Sequence, residues 1–404
     1  MTPSSDSLTT RVLVWDLPTR VFHWLLAGSF VVVWLTHDSS PWLDVHVFAG
    51  YLFAGLLVFR LVWGVVGSAY VRFAAFAYPW AAVRGYLADL ARARARRYLG
   101  HNPVGSWAIF AMLGLGLLVA ASGLGTLGGI ERHGPLAGLF SFRTGEALRE
   151  VHERAAVLML VLVIVHVAGV VVESLYHREN LVAAMVSGYK RGAGVAAGGH
   201  RPLGLALLLA AALGAGAWFS GYLLASPQQP YRPFVGPVLP DNALWRAECG
   251  SCHLAYHPLL LPARSWERML REQSNHFGED LGLDPDTVSA IGAFLRAHAA
   301  ERELTEAAWR TNTTTPPDEI PLRITETRYW RRQHREFDDW IESRAAGQGC
   351  PDCGLPDSAF VSSPVAGRHD CAACHLDADQ GTFEDAAMRI PAADIGTANP
   401  PPPR

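Results

Sequence analysis

The chain has 404 residues, of which 50% are hydrophobic and 18% are charged, and its formal net charge is −3. Soluble proteins carry about 25% charged residues, so the composition points to a membrane protein, and no nucleic-acid partner is expected. The charges are unevenly spread: residues 1–226 hold 17 Lys/Arg against 11 Asp/Glu, whereas residues 227–404 hold 17 against 26, together with all six cysteines. The sequence therefore predicts a membrane half followed by an acidic, water-exposed half.

Apolar segments dominate the first half. A transmembrane helix needs about 17–25 mostly apolar residues, and five stretches meet this length: 20–36, 45–67, 105–128, 152–173 and 203–225. The first is expected to remain as a signal anchor, because no small-residue cleavage site follows it. We therefore predict an all-α protein whose membrane part is a four-helix core with a fifth transmembrane helix.

Basic residues in the connecting loops predict the orientation, because cytoplasmic loops of membrane proteins are enriched in Lys and Arg. Two arginines precede the first stretch, and six lie between residues 72 and 97. The loops on the other side are less basic. We therefore expect a bacterial inner-membrane protein with a cytoplasmic N-terminus, five crossings and a periplasmic C-terminal part. Residues 71–99 are predicted to form an amphipathic helix on the cytoplasmic face.

The expected domain boundaries combine composition, which marks the linker, spacer and tail, with the family resemblances described below, which imply the two domains. The membrane domain is expected to span residues 12–191 and the C-terminal domain to be a mostly helical, loop-rich module. The segments between and around them are predicted as a disordered N-terminus (1–11), a linker with the fifth helix (192–226), a Pro-rich spacer (227–240), the C-terminal domain (241–391) and a disordered tail (392–404).

Two Cys-x-x-Cys-His segments lie in the acidic half, at Cys249–His253 and Cys371–His375. Two thiols about one helical turn apart suit thioether bonds to the haem vinyl groups, and the adjacent histidine is placed to ligate the iron. We predict that Cys249, Cys252, Cys371 and Cys374 attach haem covalently. His253 and His375 are the predicted proximal ligands of the iron. Two structural disulfides or a shared zinc site remain the alternative. Covalent haem belongs outside the cytoplasm, in agreement with the orientation predicted from charge.

A third cysteine pair, Cys350 and Cys353, lacks the histidine. A small disulfide in an oxidising compartment is the expected reading. A redox-active dithiol and a degenerate third haem site are the alternatives.

Histidines inside membrane helices usually have a partner or a function. His152 and His166 are 14 residues apart, which corresponds to about 21 Å along a helix and roughly 40° short of four turns. Both therefore lie on one helix face, near opposite membrane surfaces. Matching by depth predicts the pairs His46 with His152 and His23 with His166, each able to hold one b-type haem between helices. Each histidine taken alone also fits an interfacial polar residue.

Several segments in residues 12–191 resemble the bacterial cytochrome b561 and nickel-hydrogenase b-type cytochrome superfamily. They are VWDLPTRVFHW, DVHVFAGY, FRLVWGVVGS, GHNPVGSW, EVHERAAVLMLVLVIVHVAGV and ESLYHRENLVAAMVSGYKR. The resemblance implies two haem b groups with the same four histidines as ligands, and electron exchange with the quinone pool. Arg60 is a candidate for a haem propionate contact, and His101 is expected to cap the third membrane helix.

The stretch from Cys249 to Pro391 resembles the small dihaem cytochrome c family in the segments CGSCHLAY, LLPARSWERM, NHFGED, LRITETRYW, RRQHRE, CAACH and MRIP. The resemblance implies two haem c groups, each with two histidine ligands. The matching distal histidines are His276 and His334, and the sequence leaves open which of them serves which haem. His257 stands where a proline is expected and is given no role.

Together these observations predict electron transfer from membrane quinol through two b and two c haems to a soluble periplasmic acceptor, with the reverse direction left open. Such a protein would act as a quinol:acceptor oxidoreductase. The acidic outer domain favours a redox partner with a basic face. Two alternatives are a membrane-anchor subunit for a separate redox enzyme, such as a hydrogenase, and an oxidase-like protein that binds a small molecule at an open haem position.

Overall fold

Helices make up most of the structure, which confirms the predicted all-α class. The computed structural model describes residues 10–38, 42–192, 194, 196–197, 201–224, 239–335, 368–384 and 387–388. Two compact units are present, one mainly of residues 1–124 and 148–223 and the other of residues 125–147 and 224–401. The predictions for Cys350 and Cys353, for most of the spacer and for the C-terminal tail fall outside the described residues.

Four helices of the first unit are long and apolar enough to cross a membrane, as predicted: α1 (Leu17–Leu35), α2 (Leu43–Val66), α4 (Pro103–Gly129) and α5 (Phe142–Tyr176). Helix α5 begins ten residues before the predicted span. Its added turns are polar and contain ion pairs one turn apart, between Arg149 and Glu153 and between Glu150 and Arg154. Such pairs support a helix that continues past its apolar part.

Helix α7 (Arg201–Leu224) corresponds to the predicted fifth span. Its apolar stretch within the described residues, Pro202–Ala217, is shorter than those of the other four helices. Two contacts show that the helix packs antiparallel along α2. A Cβ atom on Gly55 would lie 3.3 Å from the carbonyl oxygen of Ala211. Earlier in α2 and later in α7, the rings of Phe48 and Phe219 lie 5.0 Å apart. Small residues at such contacts allow close approach of membrane helices.

The end of the membrane unit that holds the arginine-rich loop, hereafter the basic end, also contains short elements. The predicted amphipathic helix is present as α3 (Trp80–Ala91), and α6 (Leu181–Ser187) follows α5. A two-stranded antiparallel sheet was not predicted; it pairs β1 (Arg11–Leu13) with β2 (Tyr189–Arg191).

Gly188 makes this pairing possible. Its φ of 88° lies in the left-handed region that favours glycine, and it lets the chain turn from α6 into β2. Its carbonyl oxygen accepts a hydrogen bond from the Val14 amide at 2.8 Å. The N-terminal segment is thereby fixed against the end of α6, a long-range contact that a three-residue strand does not reveal in sequence.

Two apolar clusters hold the membrane unit together. The one at the basic end joins β1, α1, α2 and α7 through Val12, Val14, Trp15, Phe22, Leu56, Phe59, Trp63, Val71 and Leu208. The one in the middle joins α2, α4 and α5 through Phe53, Leu57, Leu113 and Met159. Large apolar side chains of α5, among them Val157, Ile164 and Val167, are exposed. An exposed apolar surface of this extent fits contact with lipid.

Among its described residues, the second unit has five short α-helices: α8 (Ala243–Cys249), α9 (Ala263–Arg271), α10 (Pro285–Ala297), α11 (Glu306–Thr314) and α12 (Arg328–Gln333). Four of them start at a capping side chain that accepts a backbone N–H, from Asn242, Asp284, Thr305 and Thr327. The apolar core is formed by Trp245, Ala255, Leu261, Trp266, Ile291, Leu295 and Ala299.

The segment between α4 and α5 packs within this second unit. Arg132 is only 2% exposed, and its guanidinium donates to the carbonyl oxygens of Phe140 at 2.7 Å and Leu304 at 2.8 Å. The rings of Phe142 and Trp309 lie 5.5 Å apart. Residues 125–147 are therefore a structural part of the C-terminal unit, although the sequence placed them in a loop of the membrane half.

Candidate haem-binding sites

The pair predicted at the far end of the membrane unit is close in space. His46, in the first turn of α2, and His152, on α5, have ring centroids 6.3 Å apart. The Nδ1 of His46 bonds to the carbonyl oxygen of Val33 at 3.0 Å, and the Nδ1 of His152 bonds to that of Val119 at 2.9 Å. Because a carbonyl only accepts, each Nδ1 carries the proton, and each Nε2 keeps a free lone pair that can ligate a metal.

The separation of the two rings fits one metal ion between them. Metal–imidazole bonds are about 2 Å long, as in zinc sites, so two rings on opposite sides of one metal have centroids roughly 6 Å apart. Gly123 on α4 provides room for one of the rings, since a Cβ atom there would lie 2.9 Å from Cε1 of His152.

The second membrane pair lies toward the basic end. His23 lies on α1 and His166 on α5, and each imidazole is among the electrostatic neighbours of the other. The Nδ1 of His23 is buried and has no hydrogen-bond partner among the described residues.

Arg60 lies buried on α2 in the same part of the bundle, only 5% exposed. Its guanidinium carbon lies 4.7 Å from the centre of the Phe73 ring, and Nη1 has no hydrogen-bond partner within the described ranges. Asp16 provides some charge compensation. A buried cation with an unused donor fits an additional anionic group such as a propionate.

The first Cys-x-x-Cys-His motif faces His276. The ring centroids of His253 and His276 lie 6.2 Å apart, with the ring planes 25° from parallel. The Nδ1 of His253 bonds to the carbonyl oxygen of Leu254 at 2.7 Å, which again leaves Nε2 free. His276 follows a short turn of 3-10 helix over Gln273–Asn275 and precedes Phe277, whose φ is 54°.

The second motif faces His334, the C-cap residue of α12. The ring centroids of His334 and His375 lie 6.1 Å apart. The Nδ1 of His334 bonds to the carbonyl oxygen of Trp330 at 3.0 Å, and its ring stacks on the Trp330 indole with centroids 4.3 Å apart. The structure thus pairs His276 with His253 and His334 with His375, a choice that the sequence left open.

The state of the four motif cysteines bears on the alternatives to haem attachment. Cys249, Cys252, Cys371 and Cys374 all have free thiols. Burial raises the pKa of Cys249 and of Cys371 to about 11, so these thiols are neutral at pH 7. The described residues contain no cluster of three or more His, Cys, Asp or Glu side chains able to hold a metal ion. Neither motif disulfides nor a shared zinc site find support in this part of the chain.

Tyr256 connects the two motifs and was not identified from sequence. Its ring centroid lies 5.2 Å from that of His253, and its hydroxyl donates to the carbonyl oxygen of His369 at 2.7 Å. Burial raises its pKa, so the hydroxyl stays a donor at neutral pH. The only signal in the sequence was its position just after the first motif.

His257 has a structural role that the sequence did not reveal. It is 4% exposed, its Nε2 donates to the Pro240 carbonyl oxygen at 3.0 Å, and its Nδ1 accepts the Leu259 amide at 3.3 Å. Both ring nitrogens are engaged, so it is not free to ligate a metal. Burial lowers its pKa to about 4.

His101 is not the cap of α4. The capping side chain is that of Asn102, whose Oδ1 accepts the Gly105 amide at 2.7 Å. His101 packs between aromatic rings instead, with centroids 4.7 Å from Trp15 and 4.6 Å from Phe76.

Comparison with known families agrees with both sequence resemblances. The family model for prokaryotic cytochrome b561 matches residues 14–188, and that for dihaem cytochrome c matches residues 245–362. The second match contains the first Cys-x-x-Cys-His motif and ends before Cys371.

Similar curated proteins match the membrane half. Probable Ni/Fe-hydrogenase B-type cytochrome subunits from Rhizobium leguminosarum bv. viciae and Azotobacter vinelandii are 27% and 28% identical over 210 and 218 residues. These alignments cover 44% and 45% of this chain and 87% and 89% of the relatives.

Solved structures match the C-terminal half. The diheme cytochrome c from Rhodobacter sphaeroides is 31% identical, with a TM-score of 0.27, over 36% of this chain and 100% of that one. The diheme cytochrome type c from Shewanella baltica OS155 is 30% identical, with a TM-score of 0.26, over 38% of this chain and 95% of that one. The two family matches show a prokaryotic cytochrome b561 region at residues 14–188 and a dihaem cytochrome c region at residues 245–362, so the chain is a transmembrane b-type cytochrome joined to a dihaem cytochrome c domain, with a role in electron transfer.

Proposed function

We propose that this cytochrome transfers electrons between the membrane quinone pool and a soluble periplasmic redox protein, through two haem b and two haem c groups. The observation that carries the proposal is the geometry of the histidine pairs. Three pairs have ring centroids 6.1–6.3 Å apart, and we assign His23 and His166 as the fourth pair by analogy with them.

The residues present fit haem. His23 with His166 and His46 with His152 would hold the b haems within the bundle. His253 with His276 would ligate one c haem and His375 with His334 the other, each attached through the two cysteines of its motif. When bound, haem supplies reversible one-electron chemistry at iron.

The contribution of the chain itself is to fix the ligands. Four of the eight histidines bond through Nδ1 to a backbone carbonyl, namely His46, His152, His253 and His334. These bonds set the tautomer and the ring orientation, so Nε2 faces the partner histidine. With two histidines held against each iron, no coordination position would stay open for another ligand. This arrangement favours electron transfer over binding of a small molecule, and it disfavours the oxidase-like alternative.

The distribution of charge supports a direction across the membrane. Arginines are concentrated at the basic end, which we assign to the cytoplasm. With α7 as a fifth crossing, packed along α2, the C-terminal domain lies in the periplasm of a bacterial inner membrane. The excess of acidic residues in that domain favours a partner with a basic face, since complementary charge increases the encounter rate.

A second function is favoured by the relatives, which carry the name of hydrogenase b-type cytochrome subunits. The membrane part would then receive electrons from a separate redox enzyme bound to it. The c domain argues for the first proposal, because it already provides a route from the membrane to soluble partners within one chain.

The full chain, purified in detergent, tests the proposal. We expect a pyridine haemochrome ratio of b to c haem of two to two, with only haem c staying on the denatured polypeptide. A quinol analogue should reduce all four haems, and a soluble basic cytochrome c should reoxidise them. A purified chain that quinol cannot reduce, or that copurifies in fixed ratio with a catalytic subunit needed for reduction, would contradict quinol as the donor.

A further inference from the structure

Helix α5 carries four side chains on one face at intervals of seven residues: His152, Met159, His166 and Glu173. Seven residues advance a helix by about 10 Å and return to nearly the same face, with a drift of roughly 20°. Glu173 therefore lies on the face that presents His166, about two turns further toward the basic end.

Glu173 is the centre of a hydrogen-bonded group. The hydroxyl of Tyr86, on α3, donates to Glu173 Oε1 at 2.6 Å, and His177 Nε2 lies 3.4 Å from Glu173 Oε2. Asn102 Nδ2 donates to the Tyr86 hydroxyl at 3.4 Å. Burial and the hydrogen bond to Glu173 raise the pKa of Tyr86. The phenol therefore stays protonated and donates a hydrogen bond to the carboxylate.

Two cations and a second carboxylate face this group from neighbouring segments. Arg97 binds Glu179 through two hydrogen bonds of 3.0 and 2.8 Å. Lys190 lies 3.6 Å from Glu179, and its Nζ donates to the Tyr98 carbonyl oxygen at 3.1 Å. Glu179 is thus engaged by both cations, whereas Glu173 faces the Tyr86 hydroxyl and the His177 imidazole.

A small cavity lies among these side chains. It has a volume of about 40 Å³ and is lined in part by Glu173, His177, Glu179 and Lys190. This is room for water beside the Glu173 carboxylate and the His177 imidazole.

We propose that Glu173, with Tyr86 and His177, forms the proton-exchange site for the quinone reaction at the His23–His166 end of the membrane domain. The inference rests on the proposed function. Oxidation of one quinol to quinone releases two electrons and two protons. The haem that His23 and His166 would hold would take up the electrons one at a time, and each proton passes to the Glu173 carboxylate, then through His177 and cavity water to solvent at the basic end. Quinone reduction uses the same groups in reverse.

A purely structural role would be to tie α3 to α5 through the Tyr86–Glu173 bond. Glu173→Gln separates the two roles, because the amide oxygen still accepts the Tyr86 hydroxyl but the side chain no longer takes up a proton. Glu153→Gln is the matched control, since it makes the same substitution at an exposed position of the same helix.

The test uses the full chain with all haems bound, and an unchanged haem spectrum in each variant shows that it folds. The b haem of interest is the one lost in His23→Ala. In the wild type its midpoint potential should fall as pH rises, since reduction is coupled to proton uptake. We expect Glu173→Gln to reduce this pH slope at least twofold and to slow haem reduction by a quinol analogue about tenfold. Reduction by dithionite, which delivers no protons through the site, should be unchanged. Glu153→Gln should keep the wild-type pH slope of the His23-dependent haem and the wild-type rate of reduction by quinol.

Two negative results are distinguishable. If quinol reduces the wild type and Glu173→Gln at equal rates and the pH slope is the same in both, the proton-exchange site is wrong while quinol as donor stands. If quinol does not reduce the wild-type haems at all, the proposed function is wrong, whatever the pH slope.

Discussion

The hydroxyl of Tyr256 donates a hydrogen bond of 2.7 Å to the carbonyl oxygen of His369, and this bond joins the two haem c motifs. Tyr256 follows His253 by three residues, and His369 precedes Cys371 by two. The ring of Tyr256 also lies against that of His253. The position of each motif therefore depends on the other, although more than a hundred residues separate them.

Tyr256→Phe tests this link. The ring stays and the hydrogen bond is lost, so we expect the C-terminal domain to lose about 1 kcal/mol of unfolding free energy. Tyr256→Leu, which also removes the ring, should cost more and should shift both c haem potentials. Chemical denaturation followed by the Soret band measures the first effect, and redox titration the second. Equal stability of the wild type and Tyr256→Phe would show that the bond contributes nothing.

His46→Ala tests the assignment of the b haem at the far end of the membrane unit. The remaining ligand, His152, would face an open position, and a non-covalent haem held by one histidine is easily lost. We expect the ratio of b to c haem in the pyridine haemochrome spectrum to fall from 2:2 in the wild type to 1:2 in the variant. His37→Ala is the control, because His37 lies near the same end but stacks on Trp34. Retention of both b haems in His46→Ala would exclude His46 as a ligand.

His334→Ala tests the pairing in the C-terminal domain. Its haem would stay attached through Cys371 and Cys374, but one axial position would open. We expect the reduced variant to bind carbon monoxide at one haem per chain, whereas the wild type and the control His298→Ala bind none. Haem staining on a denaturing gel should remain at wild-type intensity. Absence of carbon monoxide binding in His334→Ala would show that another side chain is the distal ligand.

The membrane sites were largely predictable because helical periodicity connects sequence to depth and direction. The 14-residue spacing of His152 and His166 placed both on one face of α5, and position along the other helices supplied the partners. The same periodicity places Glu173, seven residues beyond His166, on that face, but the sequence did not single it out, because its importance depends on Tyr86 and the cavity beside it. Tyr86 lies on a different helix, and a folded loop lines part of the cavity.

The haem c pairs and the second unit were less predictable for a physical reason. His334 and His375 are 41 residues apart, and no periodic pattern states which chain segment folds back against which. The packing of residues 125–147 with the C-terminal domain was not predicted for the same reason, and neither was the β1–β2 sheet. Contacts between distant segments are decided by tertiary packing, which local patterns do not encode.

His257 gives the C-terminal domain a pH dependence of known sign. Its folded pKa of about 4 lies below the ordinary value of 6.5, so the neutral form stabilises the fold. This contribution is complete above pH 6.5 and is lost as pH falls toward 4. Between pH 7 and pH 5 we expect the loss of this contribution to lower the free energy of unfolding by about 2 kcal/mol.

His257→Gln isolates this effect, because the amide can still donate to Pro240 and accept from Leu259 but does not titrate. Chemical denaturation at pH 7 and pH 5 should show a smaller loss of stability in the variant than in the wild type. His298, whose pKa is also lowered by burial, remains in both proteins and cancels in the comparison. The same pH dependence in both would mean that His257 is not the responsible group.

Arg132→Met tests whether residues 125–147 are a structural part of the C-terminal unit. The buried guanidinium donates to the carbonyl oxygens of Phe140 and Leu304, and Glu384 lies 3.9 Å away. Removing it leaves these acceptors without their donor, at a cost of about 3 kcal/mol. Arg143→Met is the matched control, since the Arg143 side chain is 74% exposed in its pair with Glu303 and such pairs contribute less than about 1 kcal/mol. Denaturation of the full chain, followed by the Soret band of the c haems, should separate the two variants. Because Arg132 lies in sequence between two membrane helices, equal stability of Arg132→Met and Arg143→Met would mean that this segment only connects those helices.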